Sequence, residues 1–188
     1  MNLQFAAGQW DESRLCYAYS RRFTETPRFL QEDTCIRNAK NEEFRQGFDN
    51  VALLTPEPMA PGVTISTRCS FEHFGAPLIL LAQAPEKDDN GALWIESYIE
   101  VVLYENGINV WEMYPDNGQV RWKKLMSVEF AVAAGEIHDL SVTVDADRLH
   151  ITAQGHKMSL YMPHMYPSFH AGICACEGVN RFYDLIIE

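Results

Sequence analysis

The chain has 188 residues, with 15 basic and 26 acidic side chains and a formal charge of −11. That length suits one domain with a sizeable core, and 47% hydrophobic against 22% charged residues is an ordinary globular balance, far from disorder. The scattered basic residues exclude a clustered phosphate-binding surface, and no run of about 18 uncharged apolar residues offers a membrane-spanning helix.

The N-terminus, MNLQFAAGQWDESRL, lacks a basic stretch followed by a long apolar one, so no signal peptide is read and a cytoplasmic protein is expected. The five cysteines, Cys16, Cys35, Cys69, Cys174 and Cys176, are odd in number and show no C-x-x-C spacing, which argues for reduced, mostly buried thiols. Turn signals are dense, and between them run short segments of period-two alternation, the mark of half-buried strands. In chain order, Leu15–Phe23 and Asn50–Leu54 read as strands flanking Asn38–Gly47, a polar stretch suited to one or two helical turns. Val63, Ile65, Thr67, Cys69 and Phe71 then alternate with polar residues. Asp88, Asp89 and Asn90 form an acidic loop that offers Ca²⁺ three adjacent oxygens without a defined ligand pattern, so no cofactor is expected unless calcium sits there.

The most informative stretch is Trp94–Lys124. Asn106-Gly107 between two apolar runs predicts a type I′ hairpin, with Tyr104 facing Asn109 and Val102 facing Trp111. One face then carries Ile99, Val101, Leu103, Ile108 and Val110, a core face. The other carries Glu96, Tyr98, Glu100, Val102, Tyr104, Asn109, Trp111 and Met113. A second hairpin at Asn117-Gly118 places Met113 opposite Trp122 and Trp111 opposite Lys124, adding both partners to the polar–aromatic face. Downstream, His138–Val144 and Leu149–Ala153 alternate again, Cys174-Ala-Cys176 sets two thiols on one face of a strand, and Phe182–Glu188 closes the chain as a further strand. His138 falls on an apolar face as a satisfied core histidine, His164 and His170 flank a loop from which they could reach a ligand, and Arg181 is expected to pair with a carboxylate. No G-x-S-x-G elbow, P-loop or zinc spacing occurs.

This order of strands predicts an all-β, antiparallel sandwich in a single domain spanning 1–188, with residues 1–60 the least legible part. It resembles the concanavalin A-like lectin/glucanase jelly roll, close to the laminin-G-like domains. The likeness rests on Thr67–Phe71 with Ala76–Leu81, Tyr98–Tyr104 with Ile108–Trp111, Ile137–Val144, Leu149–Thr152 and the closing Gly172–Asp184. It covers roughly 63–188 and implies a fold shared by lectins, glycosidases, lyases and adhesion modules, so function follows only by analogy. Laminarinase-like hydrolases of this fold carry E-x-D-x-E. Glu96-Ser-Tyr-Ile-Glu100 keeps both glutamates as candidate catalytic residues but puts Tyr98 where the Asp belongs. Strand rise sets their Cα atoms about 13 Å apart, wide for a retaining or inverting pair.

The expected site is therefore a concave sheet face that binds carbohydrate through Tyr98, Glu100, Tyr104, Asn109, Trp111, Trp122 and Lys124. Aromatic rings stack on the apolar face of a pyranose, while carboxylate and amide groups take its hydroxyls. Hydrolysis by Glu96 and Glu100 is the alternative. A third reading buries the same aromatics, either as a second core layer or in a homodimer.

Overall fold

The computed structural model describes residues 1–20, 27–40, 49–72, 74–83 and 85–188. Its strands, in chain order, are Asn2–Gln4 (β1), Cys16–Tyr19 (β2), Leu30–Gln31 (β3), Ile36–Arg37 (β4), Val51–Leu54 (β5), Val63–Glu72 (β6), Ala76–Gln83 (β7), Glu86–Lys87 (β8), Leu93–Trp94 (β9), Ser97–Tyr104 (β10), Gly107–Asp116 (β11), Gln119–Glu129 (β12), His138–Val144 (β13), Arg148–Ala153 (β14), His156–Tyr161 (β15), His170–Cys176 (β16), Val179–Phe182 (β17) and Asp184–Ile187 (β18). Among the described residues the one helical element is a 3-10 turn at Glu12–Arg14, and no helix is long and apolar enough to cross a membrane.

Two sheets stack. The front sheet runs β12-β11-β10-β7-β16-β5-β2-β9-β8. The back sheet runs β15-β14-β13-β6-β17-β4-β3, with β18 joining β6 to β1. All pairings are antiparallel except β2 with β9. The sandwich core lies between the sheets, where Ile99, Val101, Leu103, Ile108 and Val110 meet Ile65, Phe71, Leu140, Val142 and Ile151. Each such aliphatic side chain contributes about 1.5–3 kcal/mol by leaving water. A second apolar layer, built from Leu54, Leu78, Leu80, Ala82, Tyr98, Val102 and Met113, covers the opposite face of the front sheet alone. Gly172, in mid-strand, is required by this crowding: a Cβ there would run into the backbone carbonyl of Leu53.

The two hairpins differ. Asn117 and Gly118 both take positive φ (51° and 76°), the expected type I′ turn, and Met113 faces Trp122 as the spacing predicts. In the first hairpin the register is two residues off expectation. Tyr104 pairs with Gly107 and Val102 with Asn109, so Glu105 and Asn106 form the turn. Only Gly107 takes a positive φ there, 126°. The glycine serves the third strand instead: Gly107 pairs with Glu129, and a Cβ would strike the carbonyl of Val128. Phe130 N also donates to Asn106 O (3.2 Å) and Val132 N to Glu105 O (3.0 Å), tying the turn to that strand. Because side chains alternate with period two, a two-residue slip leaves every face assignment intact. A bulge at Val110/Trp111 lets Leu125 and Met126 both pack on the sandwich core, while Lys124 stays opposite Trp111.

Of the expected Leu15–Phe23 strand, Cys16–Tyr19 is strand and residues 21–23 lie outside the described residues, as do residues 41–47 of the expected helix Asn38–Gly47. The closing strand is two pieces, β17 and β18. The break at Tyr183 lets Asp184 turn its buried carboxylate onto Arg68, accepting from Arg68 N (2.7 Å) and Nε (2.5 Å). Arg181 does pair with carboxylates, Glu32 at 2.9 Å and Glu72 at 2.7 Å. His138 is a satisfied core histidine, with Nε2 against Ala133 O at 2.7 Å and Nδ1 bonded by Gln154.

Candidate functional site

Three rungs of the front sheet build the site. Glu100 lies between Leu80 and Trp111, with Lys124 beyond Trp111. Val102 lies between Leu78 and Asn109. Toward the hairpin end, Cys176 pairs with Ala76 and Tyr104 ends its strand. All of these except Leu80 and Lys124 line a pocket of about 750 Å³ on the face away from the sandwich core. Its floor is apolar and small, from Ala76, Leu78, Val102 and Cys176. Aromatic walls come from Tyr104, Trp111, Trp122 and Phe74, and the polar groups are Glu100, Glu105, Asn106, Asn109 and Glu177.

The pocket therefore gathers five of the residues expected from sequence: Glu100, Tyr104, Asn109, Trp111 and Trp122. Glu100 is only 4% exposed, a carboxylate set into the floor, whereas Trp122 is 40% exposed. Three further expected residues lie outside the lining. Tyr98 is 0% exposed and does not line the pocket; its ring meets Trp122 edge-on, 5.9 Å between centroids, and its hydroxyl lies 3.5 Å from Ser20 Oγ. It braces the platform from below. Glu96 sits on an exposed bend before β10 and is absent from the lining, because β10 starts only at Ser97. The Glu96–Glu100 pair is thus not assembled in the pocket. Lys124 is exposed and outside the lining, with its ammonium 4.7 Å from the Trp111 ring centroid, a cation–π contact.

Several lining residues carried no recognised sequence signal. Glu105 and Asn106 enter because the hairpin turn closes one end of the face, which the correct register would have shown. Phe74 and Glu177 come from the β6–β7 and β16–β17 connections. Phe74 is 80% exposed, and both residues hold left-handed backbones, φ 62° and 61°, uncommon for side chains of this size. The turn at Glu177 is pinned: Asn180 Nδ2 donates to Glu177 O (2.7 Å), and Glu177 N donates to Asn50 Oδ1 (3.4 Å).

Elsewhere, Asp88 spends its oxygens on its own loop, accepting from Asn90 N (2.9 Å) and Ala92 N (2.8 Å), and from the Tyr19 hydroxyl (3.2 Å). Among the described residues no group of three or more His, Cys, Asp or Glu is placed to hold a metal ion. His170 is buried with Nδ1 2.7 Å from Thr55 O, and His164 lies exposed outside the pocket lining.

No family model matches the chain, and no curated protein matches it. Solved structures do match. The carbohydrate binding module CBM66 from Bacillus subtilis superposes at TM-score 0.64 and 8% identity, over 87% of this chain and 92% of that one. A glycoside hydrolase family 16 endo-glucanase from Bacteroides ovatus gives TM-score 0.64 and 10% identity over 100% and 99%. The kappa-carrageenase from Pseudoalteromonas carrageenovora gives 0.61 and 8% over 98% and 91%. At these identities the likeness is one of fold: the chain is a concanavalin A-like jelly-roll β-sandwich.

Proposed function

We propose that the chain binds carbohydrate in the front-sheet pocket. The observation that carries this reading is the lining itself: two Trp and a Tyr beside a floor-set carboxylate and an amide, around about 750 Å³ on the sheet face away from the sandwich core. Indole rings offer flat apolar platforms to sugar C–H faces, and Glu100 and Asn109 offer hydrogen bonds to hydroxyls. The carbohydrate-binding module and the glucanase that share this fold support a glycan ligand. Binding is favoured over hydrolysis because Glu96 lies outside the pocket, so the carboxylate pair that chemistry would draw on is not brought together.

Trp111→Ala and Trp122→Ala are expected each to weaken retention on immobilised glycan by roughly one to two orders of magnitude, on the scale of one to two lost stacking contacts. Circular dichroism and thermal unfolding should change little for Trp122→Ala, whose ring is 40% exposed. Unfolding of both variants would mark the face as core and sink the reading, as would retention equal to the parent's.

A further inference from the structure

We infer that Phe74 is a ligand-contacting residue, a second aromatic platform set apart from Trp111 and Trp122, and that the pocket takes an oligosaccharide long enough to touch both; this deepens, and rests on, the carbohydrate reading above. Among the described residues, four that are not glycine hold a left-handed backbone: Phe74, Asn117, Gln154 and Glu177. Three of them precede a glycine that also has a positive φ, the paired pattern of a two-residue type I′ turn. Phe74 is the exception, because Gly75 does not share the positive φ. Gly75 N donates to Glu72 O (3.0 Å) and closes a turn in which Phe74 holds φ 62°, a place that ordinarily goes to Gly or Asn.

A phenylalanine there is strained, since its Cβ crowds the following carbonyl oxygen. Packing returns little for that strain: the ring is 80% exposed and buries little apolar area. The turn is held by its backbone instead, with Gly75 so close to the Val179 carbonyl that a Cβ would strike it. The ring is thus held out at a fixed place on the pocket lining. Strain and exposure combined in one residue of a pocket wall mark a side chain kept for what it meets there. Strand geometry sets the spacing to the other platform. From the rung of Leu80, Glu100 and Trp111 to Ala76 is four residues along β7, about 14 Å, and β7 lies two strands from β11, about 10 Å. Trp111 and the turn of Phe74 therefore rise from backbone points roughly 17 Å apart, wider than one pyranose ring, with the floor of Leu78 and Val102 between them. A monosaccharide can stack on one platform, whereas a chain of sugar units can stack on both.

The test titrates the intact protein with linear oligosaccharides, from monosaccharide to hexasaccharide in several linkages, and compares the parent with Phe74→Asn, Phe74→Tyr and Trp111→Ala. In the parent, affinity should climb with chain length. Phe74→Asn should flatten that climb, weakening the longest members by roughly three- to tenfold more than the shortest, the scale of one aromatic contact. Phe74→Tyr should restore the climb, and Trp111→Ala should weaken every length. Thermal unfolding supplies a readout that needs no ligand. Phe74→Asn should melt at or above the parent, since Asn tolerates the left-handed backbone and little buried area is lost. A lower melting point would make the ring structural and overturn the inference. An unchanged climb in Phe74→Asn, with binding still weakened in Trp111→Ala, overturns the second platform and leaves the carbohydrate reading in place. A concentration-dependent mass that Phe74→Asn abolishes at unaltered glycan affinity overturns it too, making the ring a contact between copies of the chain. A series in which nothing binds the parent overturns both readings.

Discussion

The two sheets share one core yet treat their outer faces in opposite ways. On the back sheet β13 and β14 alternate strictly between buried and accessible residues, and the outward positions are Ser, Thr, Asp, His and Arg, such as Thr143, whose hydroxyl meets that of Thr64 on β6 at 2.8 Å. On the front sheet β7, β10 and β16 are buried along nearly their whole length on both faces. An antiparallel sheet with one solvated face is the ordinary case, and a strand buried on both faces ordinarily belongs to a sheet covered on both sides. The front sheet therefore carries more apolar surface than a two-layer sandwich requires. The pocket is where that surplus stays open, with the apolar floor of Leu78 and Val102 beneath aromatic and acidic walls.

The largest effect should come from setting a charge on each outer face in turn. Leu80→Asp places a carboxylate in the second apolar layer of the front sheet, where the leucine is 1% exposed, and should cost about 4 kcal/mol or more. Thr152→Glu lies on the outer face of the back sheet opposite Lys157 and should stay within about 0.5 kcal/mol of the parent. Urea titration with unchanged slope reads both. If Leu80→Asp does not fold, Leu80→Ala should still lose about 2–5 kcal/mol. Equal costs for Leu80→Ala and Thr152→Ala would erase the contrast between the faces.

That contrast was half visible in the sequence. Alternation in Val63–Phe71, His138–Val144 and Leu149–Ala153 exposes the back sheet strand by strand. The front sheet was legible where hairpin turns fix register, and so Glu100, Tyr104, Asn109, Trp111 and Trp122 converge as their spacing implied. Tyr98 misled because period two reports only which face a residue joins, not how deeply that face is covered at a given rung. Glu96 misled because the strand starts one residue after it. Phe74 and Glu177 reach the pocket through connections between strands, whose path depends on packing such as the close approach of Gly75 to the Val179 carbonyl. No local pattern encodes that approach.

A smaller effect separates the sheets by pH. At one end of the back sheet Glu32 accepts from Arg37 Nε (2.6 Å), Arg181 Nε (2.9 Å) and Cys35 Sγ (3.3 Å). Burial pulls its carboxyl upward, but the hydrogen bonds from Arg181, Cys35 and Arg37 outweigh that and hold it below the ordinary carboxylate value. A depressed folded value means that this network stabilises above the unfolded carboxyl's value, roughly 4.3, and that its contribution is lost as pH falls through the lower folded value. Glu32→Gln should therefore be less stable than the parent near neutrality, and the difference should close below about pH 4. Denaturant midpoints measured from pH 7 to pH 3 show this directly. A difference that stays constant with pH would mean that the ion pairs add nothing, in line with many exposed pairs.

The smallest expected effect lies at the edge of the front sheet, where the pocket ends. Lys124 stacks its ammonium on the ring of Trp111, 4.7 Å from the centroid, at a strand exposed along most of its length. An exposed cation–π contact is worth about 0.5–1 kcal/mol. Its role would be to hold the indole in place for a ligand on the pocket side. Lys124→Ala should then lower glycan affinity by only about two- to fivefold, the equivalent of that energy. Lys124→Met, which keeps an apolar stem over the ring, should recover most of the loss. A loss as large as that of Trp111→Ala, with no recovery in Lys124→Met, would move the ammonium into direct contact with the ligand. The site would then extend past the pocket wall onto the edge strand.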